Sequence, residues 1–218
     1  TVCLSYEDAR RHLKKKSGVV TGNPVREEIL TSEKFEASKK FGLSRDLIVV
    51  GLIGGSQGAL ALNKAMEEAL DKIKNIQIIW QVGSSHHDNY YRYNNDRIKV
   101  ISFVDDMGAF YSAIDLVISR AGALALAEIA ACGKPSLLVP FSRAAGDHQS
   151  KNAESLRAAG ASVVINQRDL TGYRLANEII SLTSNPARLE KMSNAARSVS
   201  KPDAATQIVE EIEELVTT

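Results

Sequence analysis

Six short apolar runs constrain this chain more than any other feature: Leu47–Ile53, Ile76–Val82, Ile98–Phe103, Leu116–Ile118, Ser136–Pro140 and Ser162–Ile165. They are unbroken rather than alternating. Strands that read this way belong to parallel sheets covered on both faces. Parallel neighbours need long crossovers, and the stretches between the runs carry helical patterns. These are roughly Gly58–Lys74, Asp106–Ser112, Ala123–Ala131, Gln149–Ala159 and Thr171–Leu182, with Pro186–Ser198 and Ala204–Val216 as two more near the end. The alternation predicts an α/β fold: a doubly wound, Rossmann-like parallel sheet of about six strands with right-handed crossovers.

The first two dozen residues break this rhythm. Val2–Leu4 and Gly18–Thr21 read as short strands around the charged piece Glu7–Lys16. Then comes Gly22-Asn23-Pro24-Val25-Arg26, where Gly-Asn is a turn pair and Asn-Pro disfavours helix. A domain boundary is expected near residue 24. The chain opens without Met on the strand-like Thr1–Leu4, so part of a longer protein is expected upstream. Its net charge of +1 gives no field that would draw nucleic acid. The two cysteines, Cys3 and Cys132, have no CxxC spacing, which makes a reducing cytosol the default. No apolar run reaches the roughly 18 residues of a membrane span.

Chemistry concentrates where apolar runs end and helices begin. Ser119-Arg120-Ala121-Gly122-Ala123-Leu124, with Glu128 a turn further on, follows the run ending at Ile118. A strand entering a helix N-terminus offers unpaired N–H groups and a positive dipole end, which suit a phosphate. Glu128 lies where a carboxylate reaches a ligand's hydroxyls. Gly54-Gly55-Ser56-Gln57-Gly58-Ala59 is a second such turn, with the N–H groups of Ser56 to Ala59 and the Ser56 hydroxyl as candidate phosphate ligands. It matches neither GxGxxG nor a Walker A loop. For each turn the plain alternative is a tight strand-to-helix connection without a ligand. Two such turns in one sheet favour a shared phosphate-bearing ligand.

Three further places are weaker. In Phe103-Val104-Asp105-Asp106-Met107, the Val104 backbone could meet the edge of a base and Phe103 and Met107 its faces. Read locally, however, an apolar pair at that spacing across a helix start is core, and Asp105 or Asp106 is an N-cap. Asp147 is a good N-cap. His148, Gln149 and Asn152 would then face the crevice, with groups suited to sugar hydroxyls. His86-His87-Asp88 reads as solvated loop and not as a metal cluster, since adjacent residues do not converge on one ion. Arg26 beside the linker is a candidate bidentate phosphate donor. No metal or cofactor is expected.

Gly22–Arg26, Gly54–Ala59, Phe103 with Met107, Arg120 with Leu124 and Glu128, and Pro140-Phe141 through Asp147-His148-Gln149 to Asn152-Ala153 stand in the order and spacing of the MurG family, which the chain resembles along essentially its whole length. That family transfers N-acetylglucosamine to lipid I, giving lipid II for peptidoglycan. The resemblance implies the C-terminal, donor-binding half of a GT-B glycosyltransferase. Residues 1–23 would be a remnant of the N-terminal acceptor domain, 24–200 the UDP-sugar domain, and 201–218 a helix returning toward the N-terminal domain. It also implies UDP-N-acetylglucosamine as donor. The Val104 backbone would read uracil, framed by Phe103 and Met107, and Glu128 would hold the ribose. Arg26, Ser56 and Gln57, with the amides of Ala123, Leu124 and Ala125, would surround the diphosphate, and His148 and Gln149 the sugar. Where the family has Thr, this chain has Ala125, which removes a hydroxyl beside the diphosphate.

The same resemblance places the catalytic base and the glycine-rich acceptor loops in the N-terminal domain. No catalytic residue is therefore identified here, and the chain alone is expected to bind donor weakly without transfer. The lipid I acceptor and the inner face of the cytoplasmic membrane would be met through that domain, as a cytoplasmic, peripheral protein. Two other readings stay open. One is the donor half of another GT-B UDP-sugar transferase, such as a diacylglycerol sugar transferase or a split N-acetylglucosaminyltransferase subunit. The other is a non-catalytic nucleotide-binding or interaction module.

Overall fold

A computed structural model describes residues 2–7, 10, 13, 18–30, 33–44, 46–141 and 147–217. Six strands form one sheet: β1 (Val49–Ile53), β2 (Gln77–Gln81), β3 (Ile98–Ile101), β4 (Leu116–Ser119), β5 (Ser136–Leu138) and β6 (Ser162–Val164). The order is β3-β2-β1-β4-β5-β6 and every neighbouring pair is parallel. Five of the six apolar runs contain their strand, and β4 extends one residue past its run, to Ser119. The strand direction of travel across the sheet reverses between β1 and β4, which puts a crevice at their carboxyl ends.

Nine helices flank the sheet among the described residues: α1 (Lys34–Lys40), α2 (Leu60–Ala69), α3 (His87–Tyr90), α4 (Met107–Ala113), α5 (Ala123–Ala131), α6 (His148–Ala158), α7 (Gly172–Thr183), α8 (Pro186–Ser198) and α9 (Ala204–Thr217). Strand residues feed the two faces alternately. Val50, Leu52, Ile78, Trp80, Leu116, Ile118, Leu137 and Val139 pack with Leu62 and Met66 of α2 and Leu175 and Ile179 of α7. Val49, Ile79, Val117 and Leu138 pack with Phe110 of α4, Ile114 just after it, Leu126 and Ile129 of α5 and Leu156 of α6. The unbroken runs thus reflect burial on both faces. On β1, a Cβ at Gly51 would lie 2.7 Å from Phe110 and 2.9 Å from Ile114, so its glycine lets α4 pack close.

Several expectations are corrected. The helix expected from Gly58 starts at Leu60, because Gly58 holds φ +72°, and regular α-helix ends at Ala69. Beyond it, Lys72 N–H and Ile73 N–H reach back three residues, to the Ala69 and Leu70 carbonyls. His86-His87-Asp88 is helical, not loop: a 3₁₀ turn over Ser84–His86 runs into α3, and the His87 ring lies 5.1 Å from that of Tyr91. α1 was not legible at all. The charged piece Glu7–Lys16 falls mostly outside the described residues. On either side of it, Leu4 N–H donates to Val19 O at 2.8 Å and Val19 N–H to Val2 O at 3.0 Å, which makes Cys3–Val19 an isolated parallel bridge. This segment is tied to the sheet domain: Ser5 Oγ lies 2.6 Å from Asn23 Oδ1, and Asn23 Nδ2 donates to Ala123 O at 3.3 Å. At the other end, α9 leaves Val209, Ile212 and Leu215 more than half exposed, a stripe at helical spacing.

Candidate functional site

A cavity of about 1240 Å³ runs along the carboxyl ends of the strands. Arg26, Gly54–Ser56, Phe103, Val104, Met107, Gly122, Leu124, Ala125, Glu128 and Gln149 all line it. Segments far apart in sequence therefore converge on one space.

The turn after β1 is built by backbone crowding. A Cβ at Gly58 would sit 2.0 Å from Val82 O, and one at Gly83 would sit 2.3 Å from Gln57 O. The turn therefore lies directly against the end of β2. Gln81 braces it, accepting from Gly54 N–H at 3.1 Å while its Nε2 donates to Gly55 O at 3.0 Å. Gly58 N–H is satisfied within the turn by Gly55 O at 2.8 Å, which corrects the expectation that it is free for a phosphate. Ser56 and Gln57 are exposed at the tip, and Ser56 faces the cavity while Gln57 does not line it. α2 then opens at Ala59 with no side-chain cap.

The turn after β4 leads into α5, which opens at Gly122, also without a side-chain cap. By contrast, α4, α7 and α8 are capped: Asp106, Thr171 and Asn185 accept from Ala109, Arg174 and Arg188 N–H. The first-turn amides of Ala123, Leu124 and Ala125 have no partner within their helix. α6 holds this turn in place. Gln149 Oε1 accepts from Phe141 N–H at 2.9 Å and Ala121 N–H at 3.3 Å, and Asn152 Nδ2 donates to Ala121 O at 3.1 Å. Both side chains position backbone, and Gln149 also lines the cavity.

Charge gathers around that turn. Glu128 is half-buried, and loss of solvation raises its carboxyl above the usual range against the opposing pull of the Tyr111 hydrogen bond and the Arg26 charge. Arg26 is exposed at the rim. Arg120 was named in the sequence only as part of a motif, yet it lines the cavity. It donates to Val139 O at 3.0 Å, lies 5.5 Å from the Phe141 ring centre, and is lowered in pKa by burial. The signal for it was its place directly after a strand.

Phe103 is 51% exposed at the cavity mouth, which overturns its local reading as core. Val104 buries its side chain, and Met107 packs partly on the α4 face. Asp106 is the α4 cap, accepting from Ala109 N–H at 2.8 Å, with Lys40 Nζ 2.7 Å away. Asp147 does not cap α6 with its side chain, since it sits in the left-handed region at φ 55°. His148 is exposed and is not among the cavity-lining residues, so of the expected sugar pair only Gln149 faces this space. Leu60 and Lys64 of α2 also line it, as does Gln167 beyond β6. No signal in the sequence singled them out.

The Acinetobacter baumannii MurG crystal structure superposes with TM-score 0.77 at 28% identity, covering 91% of this chain and 56% of that one. A glycosyltransferase of kitacinnamycin gives TM-score 0.68 at 19% identity, covering 92% and 51%, and speaks for the fold alone. The fold is that of the C-terminal domain of a GT-B glycosyltransferase. More narrowly, the chain belongs to glycosyltransferase family 28, whose C-terminal domain matches residues 49–208. It is 42% identical over 219 residues to an Anaeromyxobacter dehalogenans protein named UDP-N-acetylglucosamine–N-acetylmuramyl-(pentapeptide) pyrophosphoryl-undecaprenol N-acetylglucosamine transferase, covering 97% of this chain and 56% of the relative. The Geobacter sp. protein of the same name is 40% identical over 215 residues, covering 95% and 57%. The chain thus spans less than two thirds of these relatives' length.

Proposed function

We propose that the cavity binds UDP-N-acetylglucosamine and that the chain is the donor half of an inverting transferase acting on lipid I. One observation carries this reading. Turns after β1, β3, β4 and β5, plus the linker Arg26, meet in one cavity with an aromatic mouth, two uncapped helix starts and a half-buried carboxylate. The relatives' names supply the donor and acceptor.

In this arrangement the Val104 backbone meets uracil and Glu128 takes the ribose hydroxyls. The diphosphate lies between Ser56, Arg26 and the first turn of α5. As UDP leaves, negative charge grows on the diphosphate, and fixed amide dipoles and Arg26 stabilise it more than they stabilise the bound donor. Gln149 Nε2 serves the sugar. Ala125 lines the cavity without a hydroxyl, which leaves donor affinity below that of a Thr-bearing site. The acceptor, the base and contact with the membrane face belong to a preceding domain, to which the apolar stripe of α9 would dock. Among the described residues no helix is long and apolar enough to cross a membrane.

Calorimetric titration tests the reading. UDP and UDP-N-acetylglucosamine should bind in a panel with UDP-glucose and UDP-galactose, with UDP-N-acetylglucosamine the tightest sugar nucleotide. Absence of binding at millimolar concentration refutes a donor site. Preference for UDP-glucose or UDP-galactose moves the chain to another donor class.

A further inference from the structure

We propose that Tyr111 is the positioning residue for ribose recognition: its phenol fixes one oxygen of Glu128 so that the other faces the nucleotide. This rests on the donor-site reading above. Tyr111 sits on α4 one helical turn after Met107, and its ring is fully buried against Phe110, with centres 5.5 Å apart in an edge contact. Its hydroxyl reaches across to α5 and donates to Glu128 Oε2 at 3.1 Å. Both residues line the cavity. No other side chain among the described residues hydrogen-bonds Glu128.

A glutamate on a helix has three side-chain torsions to fix. Ordering such a chain at the moment of binding lowers affinity, so a contact that orders it beforehand raises affinity. Tyr111 is suited to this because its ring cannot move in a packed core. Burial, and then the Glu128 charge, push the phenol well above its ordinary pKa, so it remains a donor throughout the accessible range. A buried donor needs an acceptor, and Glu128 is the one within reach. The pairing also divides the carboxylate: Oε2 is committed to the protein, and Oε1 is left for the vicinal hydroxyls of a ribose. Recognition of the sugar is thereby coupled to α4, which also carries the uracil-framing Met107.

The test titrates UDP and 2′,3′-dideoxy-UDP into the 218-residue chain and into Y111F, E128A and the double variant. Y111F should weaken UDP about five- to tenfold, as expected for one hydrogen bond to a charged group partly replaced by water. It should leave the dideoxy nucleotide within about twofold, and in the E128A background it should change neither. The groups facing Glu128 are Tyr111 from α4 and Arg26 from the linker, with Cys132 at the C-cap of α5. Removing the phenol should therefore move the acid limb of UDP binding to higher pH. Unchanged UDP affinity in Y111F, or equal loss of both nucleotides, overturns the proposal. Should Y111F not fold, Glu128→Asp leaves the ring intact and draws the carboxylate away from it. Selectivity for UDP over the dideoxy form should then collapse, and its retention overturns the proposal. If the unaltered chain binds neither nucleotide, the donor-site reading itself fails. If selectivity is lost in E128A but kept in Y111F, only the role of Tyr111 fails.

Discussion

Glu128→Gln should make the chain more stable and bind UDP worse. Glu128 is half-buried on α5, and desolvation holds its carboxyl above the ordinary range. A carboxyl with a raised folded-state pKa favours its protonated form in the fold, so its charge opposes folding at neutral pH and this opposition fades as pH falls through the raised pKa. The Gln carbonyl can still accept from Tyr111, whose oxygen lies 3.1 Å from Glu128 Oε2, so the buried phenol keeps a partner. Binding moves the other way. A hydrogen bond to a charged acceptor exceeds a neutral one by about 1–1.5 kcal/mol, so two ribose hydroxyls lose about 2–3 kcal/mol, roughly 30- to 150-fold in Kd. Thermal melting at pH 7.5 and pH 5, with calorimetric titration of UDP at pH 7.5, reads both effects. Gln should melt higher at the upper pH, and the gap should narrow at the lower. A variant that melts lower at pH 7.5 and binds UDP unchanged would make Glu128 a structural residue and refute the reasoning.

Two predictions concern the scaffold under the site. Gly58→Ala places a Cβ 2.0 Å from Val82 O at a φ of +72°, so it should destabilise by more than about 1 kcal/mol and, by moving the β1–α2 turn, weaken UDP as well; denaturant melts and titration check both, and a neutral variant would mean the turn is loose. Asn63→Leu strands two buried partners, Trp80 Nε1 at 3.0 Å and Val82 O at 2.9 Å, so it should cost about 2–4 kcal/mol in urea unfolding, and a loss under about 0.5 kcal/mol would show that water satisfies both.

What was legible in the sequence was what burial dictates. Five strands lie inside the apolar runs and β4 overruns its own by one residue, while α5 and α8 have the predicted limits. α8 in particular carries Pro186 at its first position after the capping Asn185, a start signal that needs no tertiary knowledge. α1 escaped because Lys34–Lys40 offers only Phe35 and Ala37 as apolar residues, too few for a periodic stripe. Its burial of Ala37 against α4 is decided by tertiary packing. At the site, residue types in motifs were legible and their orientations were not. Asp147 looked like a cap, but its left-handed backbone leaves the side chain making no cap bond. Gln149 was read for a sugar, yet its Oε1 is taken by two backbone amides. Tyr111 carried no signal, because a tyrosine on a buried helix face reads as core until its hydroxyl is traced across to α5.

A cluster of unfavourable features then marks the same cavity as the motifs. Inside the layers Asn63, Gln77 and Gln81 each bond to backbone or to Trp80. Several features that oppose folding meet at the cavity. Glu128 and Arg120 are desolvated, α2 and α5 open uncapped, and all four border one cavity. Of the two buried side-chain atoms without a partner among the described residues, Gln167 Oε1 belongs to a cavity-lining residue and Ser162 Oγ does not. α1, α3 and α6 also open without a side-chain cap, so it is the coincidence of two uncapped starts with two desolvated charges that marks this cavity. Under the donor-site reading, a nucleoside diphosphate answers several of these defects together: anionic oxygens for the open amides and Arg26, and hydroxyl donors for Glu128. A ligand that meets needs the fold leaves unmet binds the folded state alone and stabilises it by mass action, so the same residues that lower the stability of the free chain raise its affinity.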